Sequence, residues 1–246
     1  MSEQITLVLK KKIDDLLLVG DVDPDTCLNA LKEELQYYVL DFIYHHPEYS
    51  HWIMYGGSAL RIIHKLNRMS VDLDFEISHE VTTKFLEELK RKIEAYFLET
   101  YNVEADFLTV KITTGRGLKL KFDIGEALSF GYPSRQVHVK IDLNHFTAPR
   151  TVTERWPVNR DQFSFVILTY NMASLMASKI AAIFLRGTRG VGDALYHEKG
   201  RDIYDLLWYM EKKIVPDFDY LIAKGIDVKD FRALFDKMTI RMNSVN

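Results

Sequence analysis

Residues 71–75, Val-Asp-Leu-Asp-Phe, alternate apolar and acidic side chains. A half-buried strand has a side-chain period of two, so Asp72 and Asp74 share one face while Val71, Leu73 and Phe75 share the other. Two carboxylates side by side repel each other unless a cation sits between them. Hard oxygen donors of this kind suit Mg2+ (or Mn2+), which takes one or two carboxylates together with substrate phosphates. The stretch Tyr55-Gly56-Gly57-Ser58-Ala59-Leu60 supplies what could hold those phosphates. Its glycines allow a tight turn, and a helix is expected to begin at Ser58, where N–H groups and the positive dipole end attract anions. Alone, an Asp-x-Asp or a Gly-Gly-Ser is commonplace. A phosphate turn, a short helix and a metal-binding strand in this order are more specific, and point to nucleotide chemistry.

The chain has 246 residues, room for one large domain or two small ones, and 47% of them are hydrophobic, enough for a sizeable core. Its formal net charge of −3 excludes a globally basic nucleic-acid binder, so any RNA contact would need a local patch. The single cysteine, Cys27, allows no internal disulfide, fits a reducing compartment, and is expected as a small buried hydrophobe. Lys10-Lys11-Lys12 and Asp14-Asp15 break the apolar N-terminal stretch, which does not read as a signal peptide. No apolar run reaches the roughly 18 residues that span a membrane. A soluble, cytoplasmic protein is expected.

Helices are expected over 5–19 and 26–46, the second with Leu28, Leu31, Leu35, Tyr38, Val39 and Phe42 on one stripe. His45 and His46 are adjacent and lack the spacing of a helical metal pair. A short strand at 51–54 leads into the glycines. A helix over 80–98 should bury Val81, Phe85, Leu89, Ile93 and Phe97 and solvate Lys84, Lys90, Arg91 and Lys92. Strands 103–113 and 117–124 make a hairpin turning near Thr114-Gly115. Its Lys111, Arg116, Lys119 and Lys121 read first as the polar outer face of an edge hairpin, and second as a contact with an RNA backbone. Strand 136–146 puts Val137, Val139, Ile141 and Leu143 on one face and His138, Lys140, Asp142 and Asn144 on the other.

Residues 147–160, with Pro149 and Pro157, read as the exit from this domain. One long helix is expected over 166–186, with Leu175, Lys179, Ile183 and Arg186 along one side. A lysine on that apolar stripe is unusual, though a snorkelling side chain would explain it. Four glycines between 187 and 200 make a loop, and Gly190-Val191-Gly192 is no dinucleotide fingerprint because no strand precedes it. Asp202 and Asp205 then share a face in a first helical turn, where acids also favour the dipole. Two more helices, parted near Gly225, complete the chain.

Gly56-Gly57-Ser58-Ala59-Leu60 followed by Arg68-x-Ser70-x-Asp72-Leu73-Asp74-Phe75 resembles the signature of the nucleotidyltransferase superfamily. It is most similar to the AbiEii/AbiGii branch, which includes toxins of bacterial toxin–antitoxin and phage-defence systems. The resemblance matches Asp142 to the branch's third carboxylate. It matches Ala-Ser-Lys179-Ile to a motif whose lysine meets nucleotide phosphates, and Asp202-x-x-Asp205 to a fourth motif. These motifs span about residues 55–206.

The resemblance implies an α+β fold: a mixed nucleotidyltransferase sheet with flanking helices over 1–160, then a C-terminal helical bundle domain over 161–246. The implied reaction is NTP plus an acceptor hydroxyl giving an NMP-acceptor and pyrophosphate. Asp72, Asp74 and Asp142 would be the metal ligands, with Asp142 either holding a second metal or taking the acceptor's proton. Gly56, Gly57, Ser58, Arg68, Ser70, Lys179 and Asp205 would bind nucleotide, and Asp202 would orient Lys179 or bind the acceptor or base. The implied acceptor is the 3′ end of tRNA or a protein side chain, and a cognate antitoxin is a further partner. A small-molecule (antibiotic-type) nucleotidyltransferase is the alternative enzyme. A non-catalytic nucleotide- or RNA-binding protein is the alternative of another class.

Overall fold

The computed structural model of the protein describes residues 2–113, 116–129, 135–146, 151–185, 190–191, 194–195 and 200–243. Thr114-Gly115, Pro149, Arg186 and most of the expected glycine loop lie outside the described residues. The chain divides into two compact units, Met1–Phe146 with Arg155–Leu168, and Thr147–Glu154 with Thr169–Asn246.

The first unit is built on a seven-stranded sheet in the order β3-β4-β5-β2-β1-β7-β6. Its strands are β1 (Ile53–Tyr55), β2 (Asp72–Ile77), β3 (Leu108–Thr113), β4 (Gly117–Asp123), β5 (Gln136–His145), β6 (Thr153–Arg160) and β7 (Phe163–Tyr170). The sheet is mixed: β2 and β5 run parallel, whereas β1–β2, β3–β4 and β4–β5 are antiparallel. Alternation explains the faces. Val137, Val139, Ile141 and Leu143 of β5 and Leu118, Leu120 and Phe122 of β4 are buried, while His138, Lys140, Asp142 and Asn144 stay partly exposed.

Helices α1 (Ser2–Leu17), α2 (Pro24–His45), α3 (Gly56–His64) and α4 (Thr83–Thr100) flank the sheet. Ile5, Leu9 and Ile13 form the buried stripe of α1. Asp23 caps α2 by accepting from the Thr26 N–H at 3.0 Å, with Pro24 in the first turn, where its missing N–H costs nothing. Along α2, Leu31, Leu35, Tyr38, Val39 and Phe42 are buried as expected, but Leu28 is only half-buried and Cys27 takes the interior place. In α4 the start moves to Thr83, because Thr82 caps the Phe85 N–H at 3.2 Å. The buried face is Leu86, Leu89, Ile93 and Phe97; Val81 precedes the helix, and Phe85 is half-buried beside Trp52.

The largest departure from expectation is at 147–170. Residues 153–160 are not an exit but strand β6, at the edge of the sheet, where Pro157 lacks a ladder donor, Arg155 is exposed and the half-buried Arg160 pairs with Glu34. Residues 166–170 are not helical: β7 alternates buried Phe163, Phe165 and Ile167 with exposed Ser164 and Val166. The helix that follows, α5 (Met172–Leu185), starts where Asn171 Oδ1 accepts from the Ser174 N–H at 2.9 Å.

The second unit carries α5, α6 (Gly200–Glu211), α7 (Phe218–Ala223) and α8 (Phe231–Asn243), and a small ladder of β8 (Gly190–Val191) on β9 (Ala194–Leu195). Helices α6 and α7 each pack on α5, with Leu175, Ile180, Leu206, Tyr209, Tyr220 and Leu221 buried. Gly225, at φ +82°, separates α7 from α8 at the expected place. Among the described residues no helix is long and apolar enough to cross a membrane.

Candidate active site

The glycine turn and the acidic strand meet directly. Helix α3 begins at Gly56, two residues before the expected start, and Tyr55 at its N-cap makes no capping bond to the helix with its side chain. Gly56 sits at φ +74°, and a Cβ there would lie 2.7 Å from Asp74 Oδ2. A Cβ on Gly57 would lie 2.8 Å from Ser70 Oγ and 2.9 Å from Arg68 Nη2. A Cβ at either position would push these side-chain ends away, and Gly56 is also favoured by its positive φ. Ser58 is fully buried; its hydroxyl donates to the Asp72 carbonyl and lies 3.1 Å from Ser70 Oγ. It ties α3 to the start of β2 rather than facing solvent.

The entry to β2 is held from behind by α2. The Ser70 N–H donates to Glu33 Oε1 at 3.0 Å, and Gln36 Nε2 donates to the Ser70 carbonyl at 3.0 Å. Glu33 also takes Arg61 Nε at 3.0 Å. Arg68 donates to the Met69 carbonyl at 3.0 Å while its other nitrogen lies against Gly57.

Ladder register then brings the third carboxylate in. Asp74 pairs with Asp142, Asp72 with Lys140, and Glu76 with Asn144 across the parallel β2–β5 ladder. On the far side Gly117 pairs with Asp142, and a Cβ there would lie 2.2 Å from the Ile141 carbonyl oxygen and 3.1 Å from Asp142 Oδ1. Lys140 Nζ donates to Asp142 Oδ2 at 2.6 Å. Burial works against the Lys140 charge, but the bond to Asp142 and the charges of Asp142, Asp72 and Asp74 outweigh it, so its pKa lies above the ordinary lysine value. An ammonium thus stands where the acids need a cation.

Among the described residues no three His, Cys, Asp or Glu side chains converge on a point that could hold a metal ion. The donor set still fits one. Asp74 and Asp142, on neighbouring strands, offer two hard oxygen donors with Asp72 two residues away, and Mg2+ completes its shell from waters and phosphates.

In the second unit, Lys179, Asp202 and Asp205 come together. Lys179 Nζ lies 3.0 Å from Asp202 Oδ1 and 2.8 Å from Asp205 Oδ2, with the three residues 9%, 4% and 0% exposed. Lys179 lies between Leu175 and Ile183, both buried, and it ends on two carboxylates rather than snorkelling to water.

Three residues of the first site were not assigned from sequence. Glu76, 1% exposed, continues the period of Asp72 and Asp74 once β2 is known to reach Ile77. Lys140 was visible as a polar-face residue, but its partner is set by tertiary contact. Nothing in the local pattern marks Glu33.

The model of the nucleotidyl transferase AbiEii toxin family, of type IV toxin–antitoxin systems, matches residues 38–241. That is most of the chain, and the protein belongs to this family. The seven-stranded mixed sheet with flanking helices is consistent with a nucleotidyltransferase fold. No curated protein matches. Among solved structures the chain is similar to JHP933 from Helicobacter pylori, at 15% identity and a TM-score of 0.44, covering 87% of this chain and 90% of that one. It is also similar to an H. pylori structure described provisionally as a nucleotidyltransferase, at 15% identity and a TM-score of 0.41, covering 86% and 92%.

Proposed function

We propose that this protein is a metal-dependent toxin that moves a nucleoside monophosphate from an NTP to an acceptor hydroxyl, on the 3′ end of a tRNA or on a protein. The observation that carries the reading is the register of Asp74 on Asp142, with the uncapped start of α3 against Asp74. Asp72, Asp74 and Asp142 would hold Mg2+ or Mn2+, which when bound lowers the acceptor's pKa and offsets charge on the attacking and leaving oxygens. The N–H groups of Gly56 and Gly57 face the triphosphate, while Ser58, Ser70 and Arg68 hold the turn in shape. The acceptor oxygen bonds to the α-phosphorus, its proton passes to Asp142 or, where Asp142 holds a second metal, to water, and the bond to the bridging oxygen breaks with pyrophosphate taking the electron pair. In the second unit Asp202 and Asp205 would orient Lys179, the lysine that the family motif assigns to nucleotide phosphates. Helices α5–α8 serve as the family's helical domain, and the protein acts in the cytoplasm with a cognate antitoxin as partner.

The test is transfer of label from each α-labelled NTP to total cellular RNA and protein, by wild type and by Asp74→Asn. Transfer by wild type alone is the expected result, with growth arrest in a bacterial host that Asp72→Ala removes. Full transfer by Asp74→Asn would sink the acidic-centre reading. Nucleotide binding without transfer is the second reading. It is favoured by one observation, the Lys140–Asp142 ion pair, which occupies a carboxylate the reaction needs.

A further inference from the structure

Beyond the acidic centre, the polar face of β3, β4 and β5 carries a strip of positive charge. The ladders place Lys140 beside Lys119 and Lys119 beside Lys111, in the row that begins at Asp72. The next row is His138, Lys121 and Thr109. Lys32 of α2 lies near enough for its charge, with those of Lys119 and Lys121, to act on the His138 ring. The Nε2 of that ring is shielded from solvent and has no hydrogen-bond partner. Asp123, at the end of β4, is paired with Arg135 at 3.1 Å. Lys140 is paired with Asp142, but among the described residues Lys111, Lys119 and Lys121 make no ion pair.

This arrangement differs from the other basic surface of the unit. On α4 the cations Lys84, Lys90 and Arg91 are interleaved with Glu87, Glu88 and Glu94, and Lys92 bonds Glu48 at 2.6 Å and Glu88 at 3.1 Å. Charge there is balanced in place. On the β3–β5 strip it is not, in a chain whose overall charge is −3. Like charges held this close destabilise the free protein and are relieved by an anion.

We propose that this strip binds the backbone phosphates of a single-stranded nucleic acid and leads it to the acidic centre. The register sets Lys140, Lys119 and Lys111 in a row across successive strands, at the sheet's spacing of roughly 4.8 Å, with Lys121 beside that row on β4, an extended array instead of a cluster about one point. A line of cations fits a repeating polyanion; a single phosphate calls for a cup. The direction towards Asp72 rests on the transfer reading above, but binding itself does not.

The experiment is fluorescence anisotropy of a labelled uridylate oligomer with the full chain, without NTP or metal. Wild type and Asp74→Asn both bind, and affinity falls steeply with salt. Lys119→Gln/Lys121→Gln weakens binding by at least about tenfold and lowers the slope of log affinity against log salt by ~1.4, at about 0.7 per phosphate contact in single strands. Lys84→Gln/Lys90→Gln on α4 leaves binding unchanged. Absence of binding by wild type, or equal losses in the two double variants, overturns the strip. So does competition by inorganic pyrophosphate as effective as by unlabelled oligomer, since the site would then take an isolated anion. Oligomer binding without label transfer leaves the strip standing and removes the transferase reading instead.

Discussion

Asp74 of β2 and Asp142 of β5 are direct neighbours across a parallel ladder, and the ammonium of Lys140 lies 2.6 Å from Asp142. The lysine places a cation beside the acids in the free protein. It and a divalent ion cannot both satisfy Asp142 fully, so metal binding should compete with the ion pair. Lys140→Met should raise Mn2+ affinity several-fold by titration calorimetry. It should also lower metal-free stability, by no more than about 1 kcal/mol because the pair is over a third exposed. Unchanged Mn2+ affinity would detach Lys140 from the metal site.

Gly56 and Gly125 separate two costs of adding a Cβ. Both have positive φ, +74° and +76°, Gly125 with an extended ψ of 173° that essentially only glycine adopts, but only the Gly56 Cβ meets anything, Asp74 Oδ2 at 2.7 Å, whereas Gly125 has nothing within 4 Å. Gly125→Ala should cost about 1–3 kcal/mol in urea unfolding, the backbone penalty alone. Gly56→Ala should also displace Asp74, lowering Mn2+ affinity. Metal affinity intact in Gly56→Ala would show that the turn does not brace the acid.

The His138 ring gives a pH signature. Burial first, then Lys119, Lys121 and Lys32, pushes its pKa below the ordinary histidine value. A folded pKa below the unfolded one means the unfolded chain binds the extra proton more readily. His138 therefore costs no stability above about pH 6.5, and its penalty grows as pH falls through the window down to the folded pKa. His138→Gln should flatten that part of the profile of urea midpoint against pH. A parallel shift at all pH values would mean the ring matters only for packing.

Period-two alternation made β2 and β5 legible, because one buried face imposes the pattern residue by residue. Their register was not legible. That Asp74 faces Asp142 while Lys140 faces Asp72 depends on which strands pair and with what offset, which no local pattern encodes. β6 was hidden because an edge strand tolerates Pro157 and exposed charge, the marks of a loop. β7 was hidden because Val166-Ile167-Leu168 runs unbroken into the apolar α5, and the one stop signal was Asn171, a helix cap. Lys179 stood out as a cation on an apolar stripe, but its partners, at positions 202 and 205, could be named only through family motifs.

Lys179 is the place where charge and packing can be told apart. Its Nζ holds Asp202 at 3.0 Å and Asp205 at 2.8 Å, all three nearly inaccessible. Removing the ammonium would leave two buried acids facing each other. Lys179→Met keeps the stem's volume, and a snorkelling lysine would lose almost nothing by it. Here it should cost about 3–5 kcal/mol, the usual penalty for breaking a buried ion pair from one side. Lys179→Met/Asp202→Leu/Asp205→Leu should recover most of that loss, since replacing a whole buried charge set with apolar side chains of similar volume is often close to neutral. Chemical denaturation of the three proteins checks the order: wild type, then the triple variant, then the single. A single variant as stable as wild type would mean the ion triad does not support the fold. The triple variant also supplies the background in which NTP affinity can be compared with wild type without a folding defect, and affinity retained there would leave Lys179 as a structural cation.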